Sequence, residues 1–111
     1  MTIKVKDISE LPTEEVKGHQ GFTAHSLVDL GGKGITVRML RISPGGLGPV
    51  PAHKHSDAHF FLVLDGNLSL VIDSVIHHIA KGECVEVPGN KIHQLKNDGD
   101  KVISVLAIKW D

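Results

Sequence analysis

Residues 48–66 read GPVPAHKHSDAHFFLVLDG: a Pro- and Gly-rich turn, a cluster of histidines, an apolar pentad and a closing turn. Successive side chains of a strand point to opposite faces, so residues of equal parity share a face. His53, His55 and His59 are all odd-numbered, and so are Phe61 and Val63. If the segment is extended throughout, these imidazoles and the two large apolar side chains look into one interior. Ser56, Asp57 and Ala58 are where that parity can break.

Outward from this stretch, turn signals recur at short intervals: GGKG at 31–34, PGGLGPVP at 44–51, DGN at 65–67, KG at 81–82, PGN at 88–90 and NDGD at 97–100. Segments rich in Val, Ile, Leu and Thr lie between them, at 22–30, 35–42, 59–64, 68–73, 75–80, 83–87, 92–96 and 101–109. Many short strands at this spacing predict an all-β sandwich or barrel. The runs ITVRM and SVLAIKW alternate as strands with one buried face should. Residues 9–17, SELPTEEVK, offer the only helical turn, with Pro12 near its start and acids following. Residues 1–20 are more polar and read as an N-terminal arm or edge strand, and residues 21–111 as the barrel domain. An edge strand in a small β-domain invites pairing with a second copy, so a homodimer is expected.

At 111 residues the chain is one domain, long enough to bury a core without staples. A net charge of −1 with no basic run argues against a nucleic-acid partner. The single cysteine, Cys84, forms no intrachain disulfide framework, reads as a small strand residue and fits a reducing compartment. The N-terminus has the composition of no signal peptide, and the pentad Phe60–Leu64 is far too short to span a bilayer. No membrane association and a cytoplasmic location are therefore expected.

A fourth histidine, His93, follows GECVEVPGNK, another strand–turn–strand signature. Imidazole is a preferred ligand of zinc, copper, iron and nickel, and must be neutral to bind. Together the two histidine regions resemble the cupin superfamily. Its first motif, G-x5-H-x-H-x3,4-E-x6-G, is matched by Gly48, His53, His55, His59 and Gly66, with Gly48 one residue nearer His53 than usual. The second, G-x5-P-x-G-x2-H-x3-N, is matched by Gly82, Pro88, His93 and Asn97. Asn90 stands at the inner glycine, and asparagine tolerates positive φ better than most residues.

The resemblance implies a single small double-stranded β-helix, the jelly-roll barrel. It also implies a metal site formed by His53, His55, His59 and His93, holding one divalent ion per chain: Mn, Fe, Ni, Zn or Cu. His59 stands where the family usually has glutamate, which puts the redox chemistry of glutamate-containing members in doubt. Four neutral imidazoles leave both charges of the ion uncompensated, which favours an anionic ligand. The expected function is a metal-dependent enzyme acting on a small anionic oxygen compound by dioxygenase-like or enolate and proton-transfer chemistry. Its alternatives are a non-catalytic small-molecule binding or sensing module and a barrel that the metal merely stabilises. No catalytic residue is assigned. His19, His25, His77 and His78 fall outside the motifs and default to surface or edge positions. Asp57 reads as a solvated turn residue or a partner orienting a ligand, and Met39, Phe61 and Trp110 as core or pocket wall.

Overall fold

Among the described residues, the β-branched and aromatic residues between the turn signals form nine strands, all paired antiparallel. The computed structural model describes residues 2–111. In chain order the strands are β1 (Glu14–Glu15), β2 (Gln20–Leu30), β3 (Ile35–His53), β4 (Ala58–Asp65), β5 (Asn67–Ile72), β6 (Val75–Ala80), β7 (Cys84–Val87), β8 (His93–Lys96) and β9 (Ile103–Trp110). They run β6-β5-β8-β3-β9-β4-β7, with β2 on the other side of β3 and β1 on β2. This is the nearly closed jelly-roll barrel that the sequence predicts. No helix among the described residues is long and apolar enough to cross a membrane.

β3 holds the barrel together and differs most from expectation. The run PGGLGPVP, read as a turn, lies inside this strand. Residues 35–42 of β3 pair with β9 and much of β2, whereas Leu47, Gly48 and His53 pair with β8. Gly45, at φ +79, lets the strand bend from one neighbour to the next without breaking. Asn97 locks that bend: its Nδ2 donates to the carbonyls of Ile42 and Lys101, each at 2.8 Å. Its backbone N–H reaches the Gly46 carbonyl at 2.9 Å, and its own carbonyl accepts from Gly45 at 3.0 Å.

The core fills the barrel with the inward rows of the strands: Leu40 and Ile42 from β3, Phe61 and Val63 from β4, Leu68 and Leu70 from β5, and Ile103, Val105 and Ala107 from β9. Each large aliphatic side chain buried this way contributes roughly 1.5–3 kcal/mol. Phe61 is core, as expected. Met39 and Trp110 are not. They lie on the half-exposed outer face, where Met39 opposes Leu106 and Trp110 opposes Ile35. The alternation in ITVRM and SVLAIKW is real, but its apolar phase is the outer one.

The helical turn expected over 9–17 is a 3-10 turn at Ile8–Glu10. Asp7 caps it by accepting from the Ser9 N–H at 2.9 Å, and Pro12, which has no N–H, stops it from continuing. Glu14–Glu15 then pairs as a short strand along Thr23 and Ala24. Downstream, Val16 packs on the core, and the Gly18 carbonyl accepts from Val50 at 2.7 Å.

Candidate metal centre

Sheet register brings the histidines together. His53 closes β3, His93 opens β8, and the two are direct register partners. His59 enters on β4 between Lys109 of β9 and Val87 of β7. His55 belongs to no strand, because residues 54–57 leave the sheet. The continuous parity expected from His53 to Val63 therefore holds only within β4, where His59, Phe61 and Val63 all face inward.

A turn from the second motif positions His55 instead. Asn90 takes φ +64, the left-handed conformation its side chain tolerates, and donates its N–H to the His55 carbonyl at 2.7 Å. Its neighbour Gly89 lies against the Ser56 carbonyl, where any Cβ would collide. The PGN turn and the histidine loop are thus clamped backbone to backbone.

His53, His55 and His93 each present a ring nitrogen within 4.8 Å of the other two. His59 stands beside two of them, its ring centroid 4.8 Å from His55 and 5.1 Å from His93. The ring of His59 stacks on Phe61 at 5.3 Å with the planes 11° apart, which fixes its orientation. His93 donates from Nδ1 to the Lys91 carbonyl at 3.0 Å, leaving Nε2 as its free lone pair. Nδ1 of His55 is buried without a hydrogen-bond partner.

The electrostatics favour the neutral form of His55 and His59. Burial first, then the neighbouring His93 and His55, push His59 from 6.5 down to about 3. Burial, and then His93, also lowers His55, against the opposing pull of Asp57. Asp57 Oδ2 lies 3.9 Å from His55 Nδ1 and 3.8 Å from Lys109 Nζ. Both distances exceed hydrogen-bond reach, so Asp57 acts on them as a nearby charge. A hydrogen bond from Asp111, and then the charges of Lys109 and His55, hold Asp57 below the ordinary carboxylate range.

All four histidines open onto a cavity of about 290 Å³, walled also by Val16, Lys17, His19, Arg38, Pro49 and Lys109. A narrow recess of about 40 Å³ shares Val16, His19, Arg38, His59, His93 and Lys109, and adds Phe22, Phe61 and Leu95. Three of these residues escaped sequence reasoning. His19 was assigned to the surface by default, yet it lines both spaces; its Nδ1 donates to the Lys17 carbonyl at 2.9 Å and its ring lies edge-on to Phe22. Gly48 lies flush against the His19 ring, which leaves no room for a Cβ there. Arg38 lies near the end of the inward row of β3 and Lys109 ends that of β9, and neither was singled out. His25 is buried on β2 with Nδ1 unpartnered, not at the surface, and it lines neither space. His77 and His78 are exposed on β6, away from the cavity.

The donor set suits a divalent ion of the kind imidazole binds. Ring nitrogens converge, no carboxylate stands among them, and one buried nitrogen lacks any other partner.

A family model described as "Cupin domain" matches residues 38–109. Auxin-binding protein T92 of Nicotiana tabacum is 30% identical over 110 residues, covering 87% of this chain and 57% of its own length. The chain spans less than two thirds of the length of the curated relatives it matches. Among solved structures, the polyketide cyclase RemF from Streptomyces resistomycificus has a TM-score of 0.83 at 22% identity, covering 98% of this chain and 80% of its own. A predicted oxalate decarboxylase from Thermotoga maritima also has a TM-score of 0.83, at 20% identity, with 96% and 98% covered. Both structural likenesses are likenesses of fold.

Proposed function

The chain belongs to the cupin domain family, and we propose that it works as a metal-dependent enzyme on a small anionic, oxygen-containing substrate. One divalent ion per chain, Mn, Fe, Ni, Zn or Cu, is held by His53, His55, His59 and His93. The observation that carries this reading is the convergence of His53, His55 and His93, with the His59 ring beside them, on an open cavity walled by Lys17, Arg38 and Lys109. When bound, the ion supplies Lewis acidity toward an anionic oxygen, and four neutral ligands leave its charge undiminished.

The chain's own residues supply the rest. The Phe61 stack and the Lys91 carbonyl hold the His59 and His93 rings in place. His19 keeps Nε2 free because Nδ1 is committed to Lys17, and burial holds this imidazole below its ordinary range, so it is neutral near pH 7. We assign to that nitrogen the task of taking a proton from a substrate in the cavity and returning it, the role for which the sequence offered no candidate. Phe22, Phe61 and Leu95 give the recess an apolar lining that disfavours water.

Elemental analysis tests the metal assignment. Wild-type protein should carry about one divalent ion per chain, and His55→Ala or His93→Ala should lose most of it. Full retention in both variants refutes the ligand set. Dioxygen uptake and solvent-deuterium exchange across hydroxy acids, diketones and sugar acids then test turnover. Relatives named as auxin-binding proteins favour a second reading, in which the same cavity binds a small molecule without converting it. Saturable binding with neither uptake nor exchange would select it.

We also propose a homodimer, though not through the edge strand alone. Val37, Ile108 and Phe60 lie side by side on the outer face of β3, β9 and β4, followed by Met39, Leu106 and Leu62. Such a contiguous half-exposed apolar sheet face supports burial against a second copy. Light scattering should give twice the chain mass, and Ile108→Lys should halve it. The free thiol of Cys84 supports a cytoplasmic, reducing location. We further propose a division into an N-terminal arm, residues 1–20, and a barrel, residues 21–111, which the described residues support: Val16, Lys17 and His19 supply one wall of the cavity.

A further inference from the structure

Arg38 lies on the inward row of β3, yet it pairs with none of the described residues. It shares its inward row with Leu40 and Ile42, is half-buried, and lines both the histidine cavity and the recess behind it. Among the described residues no carboxylate lies within ion-pair distance of its guanidinium, and no hydrogen bond engages it. Arg38 and Lys109 also line a neighbouring open groove with Glu14 and Asp29, but neither carboxylate comes within 4.0 Å of the guanidinium. A guanidinium cannot shed its proton to relieve burial, so a half-buried arginine with no protein partner retains part of a desolvation cost that a bound anion offsets.

Lys109 stands next to it across the sheet. Thr36, two residues before Arg38 on the inward row, is the register partner of Lys109, and Ala107, two before Lys109, is the register partner of Arg38. Lys109 is in turn the register partner of His59. Two fixed cations thus border the histidines on one side of a single cavity. Lys109 is partly offset by Asp57 at 3.8 Å; Arg38 has no such partner.

We infer that Arg38, assisted by Lys109, is an oxyanion subsite that holds a carboxylate or phosphoryl group of the ligand independently of the metal. The planar fork of arginine suits such groups because it offers two parallel N–H donors. The ligand class that follows is bifunctional: one oxygen-bearing end reaches the histidines, and a separate oxyanion is gripped by Arg38. This deepens the function proposed above, resting on the same cavity being the ligand site, but it does not need the ion to be present.

The experiment uses the 111-residue chain freed of metal by chelator dialysis, titrated separately with inorganic phosphate and with acetate and followed by amide and guanidinium NMR shifts. Wild-type protein should bind at least one probe saturably, with shifts centred on Thr36, Arg38, Ala107 and Lys109. Phosphate alone would mark a phosphoryl ligand, acetate alone a carboxylate, and both a site for either. Arg38→Gln should weaken binding by roughly tenfold to a hundredfold. Arg38→Lys, which keeps the charge and loses the fork, should weaken it less and serves if the glutamine variant does not fold. The inference is overturned if wild-type protein binds neither probe, if the shifts lie away from these residues, or if both variants bind within twofold of wild type. Failure of the metal assignment would show in elemental analysis and leave this titration unchanged, so the two failures are distinguishable.

Discussion

Replacing His59 by glutamate tests the charge logic of the site directly. The substitution places a carboxylate where a ring now stands 4.8 Å from His55 and 5.1 Å from His93. With a divalent ion bound, the site loses one unit of positive charge. Two unit charges about 5 Å apart interact by about 3 kcal/mol at an effective dielectric near 20. Two features reduce this figure. The cavity is open to water, and Lys109, directly across the sheet from residue 59, offsets part of the new charge. The expected loss of affinity for a chelating anion is therefore roughly tenfold to a hundredfold, not more. The assay is calorimetric titration of wild-type and His59→Glu protein with oxalate, both fully metal-loaded by elemental analysis. Metal content should stay the same, because carboxylate is itself a good ligand. If the variant binds oxalate as tightly as wild type, residue 59 does not set the charge of the site, and the reasoning for an anionic substrate fails.

Two further outcomes follow from the same structure. His59 sits at about 3 folded and at 6.5 when free, so between these values the unfolded chain binds the extra proton. Stability of the metal-free protein should be complete above pH 6.5 and fall as pH drops toward 3, by at most about 1.4 kcal/mol per unit from this group, and level off below; urea unfolding at stepped pH reads this, and His59→Gln should flatten the slope. Asn97→Ala removes two donors and leaves the Ile42 and Lys101 carbonyls unpartnered, which should cost about 2–4 kcal/mol in chemical denaturation while the folded variant keeps its metal.

The turn signals made the fold legible. Most strands begin and end within a few residues of where Gly, Pro, Asn and Asp punctuate the chain, and the second-motif turn tolerates Asn90 because it is left-handed, as its residue type suggested. β3 escaped because a Pro- and Gly-rich run normally ends a strand. Here the same residues bend it, and Asn97, read only as a motif position, supplies the side-chain bonds that hold the bend. His55 reached its neighbours for a reason parity does not contain: a backbone bond to a turn more than thirty residues away.

The cavity walls were harder to read, and the cause lies in the barrel. An alternating strand announces its period but not which phase faces inward, and the usual rule assigns the apolar phase to the core. In β9 that rule selects Leu106, Ile108 and Trp110, yet the inward phase is Ile103, Val105, Ala107 and Lys109. In β3 it selects Ile35, Val37 and Met39, yet the inward phase is Thr36, Arg38, Leu40 and Ile42. Both strands carry apolar residues on both faces. The inner rows are apolar only at depth and turn cationic toward the histidine end. That pattern makes sense if the outer face meets a partner and the inner mouth meets an anion, two demands that single-face patterning cannot express. The polar residues toward the end of an otherwise apolar inward row are therefore the informative ones. Arg38, Lys109 and His59 lie there on three adjacent strands, and together they define the chemistry of the cavity more closely than any one motif does.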